Sequence, residues 1–312
     1  ASRTGGSHTV HYRRWRRRSK DAVYSAALNG FSALTAALPE TAVARAGEST
    51  ASLAYRCLRS EAGRTRRNLA AAFPEMASDA VDALARACFR HLGAALTDVL
   101  RFDALTPSNI GDHVDVRGLE RVHAALENGH GCVIATAHYG NWEMFGAALS
   151  LSGLAVNPIV RELRSDPLDR WIDGRRRLVG MKPASRQRSL RRAVEALKGN
   201  EVVVMLPDVD TSVRGVFVDF FGRPAYTAVG PALLSARYGA PLLSGFLTRQ
   251  SHGRHLLELH EPVAGSGVPC SDDALAATMA TVTTRIEAQI RRHPEQWIWM
   301  HRRWRTQPGD AA

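Results

Sequence analysis

The sequence predicts an α/β fold, in which a mixed β-sheet is flanked by helices. Short apolar runs at 132–137 and 202–206 are typical of strands buried on both faces of a sheet. Segments with apolar residues at helical spacing alternate with these runs, and that alternation calls for a sheet covered by helices. The chain has 312 residues, 45% of them hydrophobic, which is enough for a large core.

Each element rests on a local pattern. The uncharged stretch from 22 to 39 has an apolar stripe at helical spacing. The apolar run 132–137 is followed by Asn141, a good N-cap for the next helix. The stretch 226–231 predicts a turn that leads into a helix. In chain order, helices are predicted near 22–37, 41–58, 79–101, 119–128, 141–152, 167–179, 189–198, 228–238 and 273–292, and strands near 113–116, 132–137, 155–160, 202–206, 242–247 and 255–260.

The net charge of +11 is concentrated at the N-terminus. The first twenty residues contain seven basic and no acidic side chains, whereas the remainder is near charge balance. A cationic tail beside the apolar stripe of 22–39 suits an anionic membrane surface, although such a tail can also bind nucleic acid or stay solvated. We therefore predict a disordered basic tail over 1–20, a membrane-associated helical segment over 21–60 and a main domain over 61–312.

The four cysteines, Cys57, Cys88, Cys132 and Cys270, lie far apart and form no Cys-x-x-Cys pair. This pattern argues against a disulfide framework and against a zinc site. A reducing cytoplasmic compartment is the simpler expectation.

The most informative stretch is 138–143, directly after the first buried strand. It delivers His138 and Glu143 to the carboxyl end of that strand, where α/β sheets bind ligands. Near the N-terminus of a helix Glu143 stays ionised, and it is predicted to orient His138 as a general base for a hydroxyl nucleophile. By spacing alone, the same pair also fits a solvated loop.

Further candidates follow other strands. Arg161 lies after the run 155–160, where an arginine can grip a phosphate, and Asp208 follows the run 202–206. Asp208 is expected to orient the histidine or the acceptor hydroxyl. The tryptophans of 297–304, interleaved with arginines, fit a membrane interface or base stacking, and His301 is interpreted as structural.

Five blocks of the sequence, in order, resemble the bacterial lipid A biosynthesis acyltransferase family, which includes the phosphatidylinositol mannoside acyltransferases. The segment around His138 looks like the His-x4-Asp/Glu block of the family, and Asp208 and Asp210 match its Asp-x-Asp pattern. The Asp-x-Asp block continues into 215–224, and the other three matches lie at 68–75, 229–241 and 293–304.

The resemblance implies a glycerol-phosphate-acyltransferase-like fold with membrane-associated N-terminal helices. His138 and Glu143 would be catalytic. Arg161, or Arg164 if the alignment slips, would bind the phosphorylated acceptor, with Asp208, Asp219 and Asn141 as further substrate-binding residues.

The expected activity is transfer of a fatty acyl chain from acyl carrier protein or coenzyme A to a hydroxyl of a lipid A precursor. A phosphatidylinositol mannoside or another lysolipid is the alternative acceptor. No cofactor or metal is expected, and the cytoplasmic face of the bacterial inner membrane is the expected location. A basic nucleic-acid-binding protein is the alternative from another class, but the charge is concentrated in the tail and no recognition motif occurs. No nucleic-acid partner is therefore expected.

Overall fold

A computed structural model describes residues 30, 32–35, 37–159, 166–184, 189–263 and 269–310. The first helices come before the sheet, and the others alternate with its strands. The α-helices are α1 (Glu40–Cys57), α2 (Arg59–Ala72), α3 (Ser78–Leu100), α4 (Ile110–His113), α5 (Leu119–Leu126), α6 (Trp142–Leu151), α7 (Asp166–Leu178), α8 (Ser189–Lys198), α9 (Gly230–Tyr238) and α10 (Asp272–Arg292).

Six strands form one mixed sheet in the order β1-β8-β7-β2-β4-β3. Strands β7, β2, β4 and β3 run parallel to one another, whereas β8 is antiparallel to β7 and carries β1 parallel to itself at the edge. A separate hairpin joins β5 and β6. The strands are β1 (Val114–Arg117), β2 (Cys132–Ala135), β3 (Val156–Pro158), β4 (Val202–Met205), β5 (Gly215–Phe220), β6 (Arg223–Ala228), β7 (Leu242–Arg249) and β8 (His255–Leu259).

Strand β2 shows why the sheet is covered on both faces. Val133 and Ala135 belong to one core, whereas Cys132 and Ile134 belong to a second core on the other face. Because successive strand residues point to opposite faces, an unbroken apolar run requires a core on each side. The predicted α/β fold with a sheet flanked by helices is therefore confirmed.

Two regions differ from the sequence prediction. Helix α2 is absent from the predicted elements because it is rich in charged residues and has only a weak apolar stripe. It buries four side chains, of which only that of Leu69 is a large apolar one; the others are Ala62, Thr65 and Ala72. The stretch 226–231 leads into a helix as predicted, since α9 starts at Gly230, but its first residues belong to β6. The β5–β6 hairpin turns at Phe221 and Gly222, which both have positive φ and thus form the tight turn that matches strand twist.

The predicted N-terminal segment is only partly within the described residues. The basic tail 1–20 and most of the predicted helix 22–37 lie outside them, so their membrane association stays a prediction. Helix α1 lies in the described part and packs along α3, with Val43 and Tyr55 buried. Among the described helices, none combines the length and apolarity needed to cross a bilayer.

Helices α1 and α3 cross where two glycines meet. A Cβ atom added to Gly47 would lie 2.5 Å from Thr97 Cγ2 and 2.7 Å from the carbonyl oxygen of Gly93. One added to Gly93 would lie 2.6 Å from Ala51 Cβ. The two backbones therefore pack too closely for any side chain at these positions, and this crossing fixes α1 against α3.

We expect Gly47→Ala to lower the free energy of unfolding by about 1–3 kcal/mol, because the clash is with backbone and cannot relax cheaply. This loss would outweigh the gain of about 1 kcal/mol that alanine brings to a helix interior. Urea denaturation of the two proteins measures the difference. The control is Gly63→Ala in α2, where the nearest atom to the new Cβ is Arg67 Nη1 at 3.4 Å, so it should be neutral or stabilising. Equal stability of Gly47→Ala and the parent would contradict the close crossing.

Candidate active site

The loop between β2 and α6 carries His138 to the carboxyl edge of the sheet. Its shape depends on Gly140, which has φ of +58° and whose added Cβ would collide with the carbonyl oxygen of Leu247. The Gly140 amide donates to the carbonyl of Gln296 (2.8 Å), and the Ile298 amide donates to the carbonyl of His138 (3.2 Å). The loop is thus held between β7 and the C-terminal segment 294–306.

Asp208 holds His138 by two hydrogen bonds. The backbone N–H of His138 donates to Asp208 Oδ2, and ring Nδ1 donates to Oδ1, both at 2.8 Å. Trp297 Nε1 donates to Oδ2 at 2.8 Å as well. The Asp208 side chain is fully buried, whereas that of His138 is 23% exposed. Since Nδ1 is occupied by the carboxylate, Nε2 is the nitrogen left to accept a proton.

Asp208 remains ionised despite its burial. Burial raises the pKa of this carboxyl, but the charge of His138 and the hydrogen bonds from His138 and Trp297 outweigh that effect and hold the pKa at about 2. Arg303 lies buried nearby and donates to the Tyr226 carbonyl and to Thr227 Oγ1, both at 2.6 Å. Burial lowers the pKa of Arg303 to about 10, so it stays cationic at neutral pH.

A narrow cleft opens beside His138. The His138 ring contacts the rings of Trp142 and His301, whose centroids lie 5.2 and 5.3 Å away. The cleft is lined mainly by apolar and aromatic side chains, with few polar ones. Besides His138 and Trp142 it is lined by Thr65, Cys88, His91, Leu92, Gln296, Trp297, Ile298, Trp299 and Met300.

The prediction that Glu143 orients the His138 ring is wrong, because the ring nitrogen Nδ1 is hydrogen-bonded to Asp208 instead. Glu143 lies in the first turn of α6, as predicted, and forms a two-pronged ion pair with Arg176 of α7 at 2.6 and 2.8 Å. Both side chains are less than 15% exposed. An arginine fork matches a carboxylate in this way, and here it fixes α6 to α7.

Asn141 is the N-cap of α6, as predicted: its Oδ1 accepts from the Met144 amide at 3.0 Å. Its Nδ2 donates to the Ala95 carbonyl (3.1 Å) and to Asp98 Oδ2 (2.8 Å). The side chain is buried, and these contacts leave it no donor for a substrate. The interpretation of Asn141 as a substrate-binding residue is therefore replaced by a structural one.

The other candidates lie apart from His138 or outside the described residues. Asp219 is exposed on β5 and accepts from the Gly222 amide (3.1 Å) at the hairpin turn, because its strand neighbours face the core instead. The structure therefore does not bring Asp219 to His138. Asp210 is buried, but it accepts from the Thr306 amide at 2.7 Å and holds the C-terminal segment. Arg161 and Arg164 lie outside the described residues.

The role of the C-terminal tryptophans was not found from sequence. Trp297, Trp299 and Trp304 are at most 8% exposed, so they pack in the core rather than at a membrane interface or against bases. Phe220 is also buried and packs against Trp297, with ring centroids 5.5 Å apart. The only local signal for this packing is the dense run of aromatic residues, and such a run occurs both in protein cores and at membrane interfaces.

The sequence model of a family described as bacterial lipid A biosynthesis acyltransferase matches residues 13–306. A lipid A biosynthesis palmitoleoyltransferase of Escherichia coli (strain K12) is 29% identical over 249 residues, covering 78% of this chain and 78% of that protein. A phosphatidylinositol mannoside acyltransferase of Mycobacterium tuberculosis (strain CDC 1551 / Oshkosh) is 29% identical over 274 residues, covering 86% of this chain and 84% of that protein.

Among solved structures, the 1-acyl-sn-glycerophosphate acyltransferase PlsC from Thermotoga maritima is 18% identical, with a TM-score of 0.36, and covers 63% of this chain and 81% of that one. This likeness is too weak to assign a fold by itself. The family match spans nearly the whole chain and includes His138, Asp208 and Trp297. The chain therefore belongs to the bacterial lipid A biosynthesis acyltransferase family and is an acyltransferase.

Proposed function

We propose that this protein transfers a fatty acyl chain from an acyl thioester to a hydroxyl of a lipid A precursor, with His138 as the general base. The observation that carries the proposal is the hydrogen-bonded set of Asp208, His138 and Trp297 beside an apolar cleft. An imidazole whose one nitrogen is fixed by a buried carboxylate is arranged to take a proton from a hydroxyl at the other nitrogen.

In the proposed reaction, Nε2 of His138 removes the proton of the acceptor hydroxyl as its oxygen attacks the thioester carbonyl carbon. The carbon–oxygen bond forms and a tetrahedral oxyanion results. Collapse of this intermediate breaks the carbon–sulfur bond, and the thiolate receives the proton from His138. Asp208 keeps the ring in the required tautomer and stabilises the imidazolium while it carries that proton.

The proposed donor is acyl carrier protein or coenzyme A carrying the acyl chain. A thiol with a pKa of about 8.5 leaves far more easily than an alkoxide, so the step needs no cofactor beyond the thioester itself. Leu92, Ile298 and Met300 line the cleft beside His138 and offer an apolar surface for the start of the acyl chain.

A lipid A precursor is the favoured acceptor, and a phosphatidylinositol mannoside or another lysolipid is the alternative. Relatives named for these two acceptor classes are equally identical to this chain, at 29%. We propose that Arg161 or Arg164 binds a phosphate of the acceptor. The chemistry at His138 is the same for each acceptor, so an assay must offer both lipids.

We propose that the enzyme works at the cytoplasmic face of the inner membrane, where the basic tail 1–20 attracts anionic lipids. Seven positive side chains without an acidic one give such a segment a salt-sensitive affinity for a negative surface. The acceptor lipids of the relatives are themselves components of membranes.

His138→Ala and Asp208→Asn should each lower kcat by about 10²–10⁴-fold, since the first removes the base and the second its tautomer control. The measurement is transfer of a radiolabelled acyl group from acyl carrier protein or coenzyme A to a tetraacylated lipid A precursor or a mannosylated phosphatidylinositol. Asp115→Asn, on the exposed edge of β1, is the matched control and should behave as the parent. Full transfer by folded His138→Ala would refute the proposed mechanism, and label on the inositol lipid alone would change the acceptor.

Glu143 is expected to act on the site through Arg176, by fixing the first turn of α6 beside Trp142. Arg176→Gln should therefore reproduce the loss of kcat caused by Glu143→Gln, and the double variant should be no worse than either single one. Thermal unfolding of all three variants would show a shared loss of stability. A much smaller effect of Arg176→Gln on kcat would instead indicate a direct role of Glu143.

Deleting residues 1–20 should weaken binding to vesicles that contain anionic lipid, and the difference should shrink as salt is raised. Vesicle cosedimentation at low and high ionic strength measures it. Neutral vesicles serve as the control, because the tail should contribute little there. Equal binding to anionic vesicles before and after the deletion would remove the tail from the membrane proposal.

A further inference from the structure

His301 brings a second imidazole to the catalytic base. Its ring centroid lies 5.3 Å from that of His138, with an angle of 58° between the ring planes. The residue is partly exposed, and it directly follows Met300, which lines the cleft. Hydrogen bonds are about 2.9 Å long, so a small reacting group held at one of these rings is within reach of the other.

The ring nitrogens of His301 are available to a ligand. Within the part of the chain that the structure describes, the hydrogen bonds of His301 involve only its backbone, whose amide donates to the Ile298 carbonyl at 3.2 Å. Neither ring nitrogen is among the buried polar atoms that lack a partner. Both nitrogens therefore keep some solvent exposure.

His301 is electrically neutral at physiological pH. Burial lowers the pKa of its ring, and the neighbouring charge of His138 lowers it further, to about 4. A neutral imidazole has one N–H donor and one acceptor nitrogen. It is thus a poor competitor for the proton that His138 removes, but it can donate a hydrogen bond to a developing negative charge.

The position of His301 is fixed by helix α2. Asn68 Nδ2 donates to the carbonyls of Trp299 (2.7 Å) and His301 (3.0 Å), and Arg64 Nη1 donates to the carbonyl of Met300 (3.0 Å). The carbonyls of three successive residues, 299–301, thus accept hydrogen bonds from α2, and these bonds hold the turn in one conformation. A donor that is positioned before the reaction needs little reorganisation as charge develops.

We propose that His301 is a second substrate-contacting residue, whose ring N–H donates to the thioester carbonyl oxygen as it becomes the oxyanion. The inference rests on the proposed acyl transfer at His138. A neutral histidine can polarise a carbonyl in this way without transferring its own proton. His138 then moves the proton and His301 stabilises the charge, and the two imidazoles have separate tasks.

Two substitutions separate this role from simple packing. His301→Phe keeps a ring of similar shape beside His138 but removes the N–H, whereas His301→Gln loses the ring and keeps an N–H donor. We expect His301→Phe to lower kcat by about 100-fold with KM changed less than kcat, as for removal of one oxyanion donor. His301→Gln should keep clearly more activity than His301→Phe. His123→Phe and His123→Gln, at an exposed histidine of α5, are the matched controls.

The order of the two variants decides the inference. A ring that only packs against His138 would make the phenylalanine variant the more active, and that order, or equal activity of the two, would overturn the proposal. Thermal unfolding checks that each variant folds, and His301→Met, close to glutamine in size but without a donor, replaces an unfolded phenylalanine variant. His138→Ala is run in the same assay. If His138→Ala is inactive while His301→Phe is fully active, only the role of His301 is refuted. If His138→Ala is fully active, the proposed function itself is refuted.

Discussion

The buried carboxylate of Asp208 is the group on which the rest of the site depends. It accepts hydrogen bonds from the backbone and the ring of His138 and from the indole of Trp297. A charged group in the interior is costly unless it is fully hydrogen-bonded, so these donors must stay in place for the fold to be stable. The same contacts that keep the buried charge tolerable therefore orient the base. Site geometry and local stability are coupled through this one residue.

The three donors belong to two residues far apart in the chain, His138 and Trp297, and the C-terminal segment brings these residues together. Gln296 receives the Gly140 amide, and its side chain bonds both the amide and the carbonyl of Arg249 in β7. Asp210, two residues beyond Asp208, holds Thr306 at the end of the segment. Segment 294–306 thus acts as a strap across the carboxyl ends of the central strands, and it carries Trp297 and His301 to the site.

Buried charges elsewhere are paired in the same manner. Asp98 of α3 contacts Arg249 and accepts from Asn141, so a helix, a strand and the N-cap of α6 meet at one carboxylate. Burial raises the pKa of Asp98, but His255 and Arg249 outweigh that effect and lower it. The Glu143–Arg176 pair fixes the other side of the first turn of α6. Trp142, which contacts His138, lies between these two anchors, so the helix that flanks the base is held at its start.

The sequence by itself determined the elements of the sheet and the place of the base. Apolar runs predicted every strand of the main sheet to within a few residues, because burial on both faces leaves a strong local pattern. Asn141 and the strand–turn–helix context placed His138 and Asp208 at one sheet edge, since the carboxyl ends of parallel strands meet there. Helix α2 and the β5–β6 hairpin were missed, because charged faces and a Phe–Gly turn carry weaker signals.

Only the tertiary structure decided which carboxylate is hydrogen-bonded to the ring of His138. Glu143 is five residues from His138 and Asp208 is seventy, yet spacing along the chain does not determine the direction of a side chain. The pairing of β2 with β4 sets Asp208 beside the ring, and the fork of Arg176 holds Glu143. His301 likewise lies beside His138 in a turn whose carbonyls accept hydrogen bonds from Asn68 and Arg64. Contacts between residues so far apart in sequence depend on the packed fold, and local patterns contain no information about them.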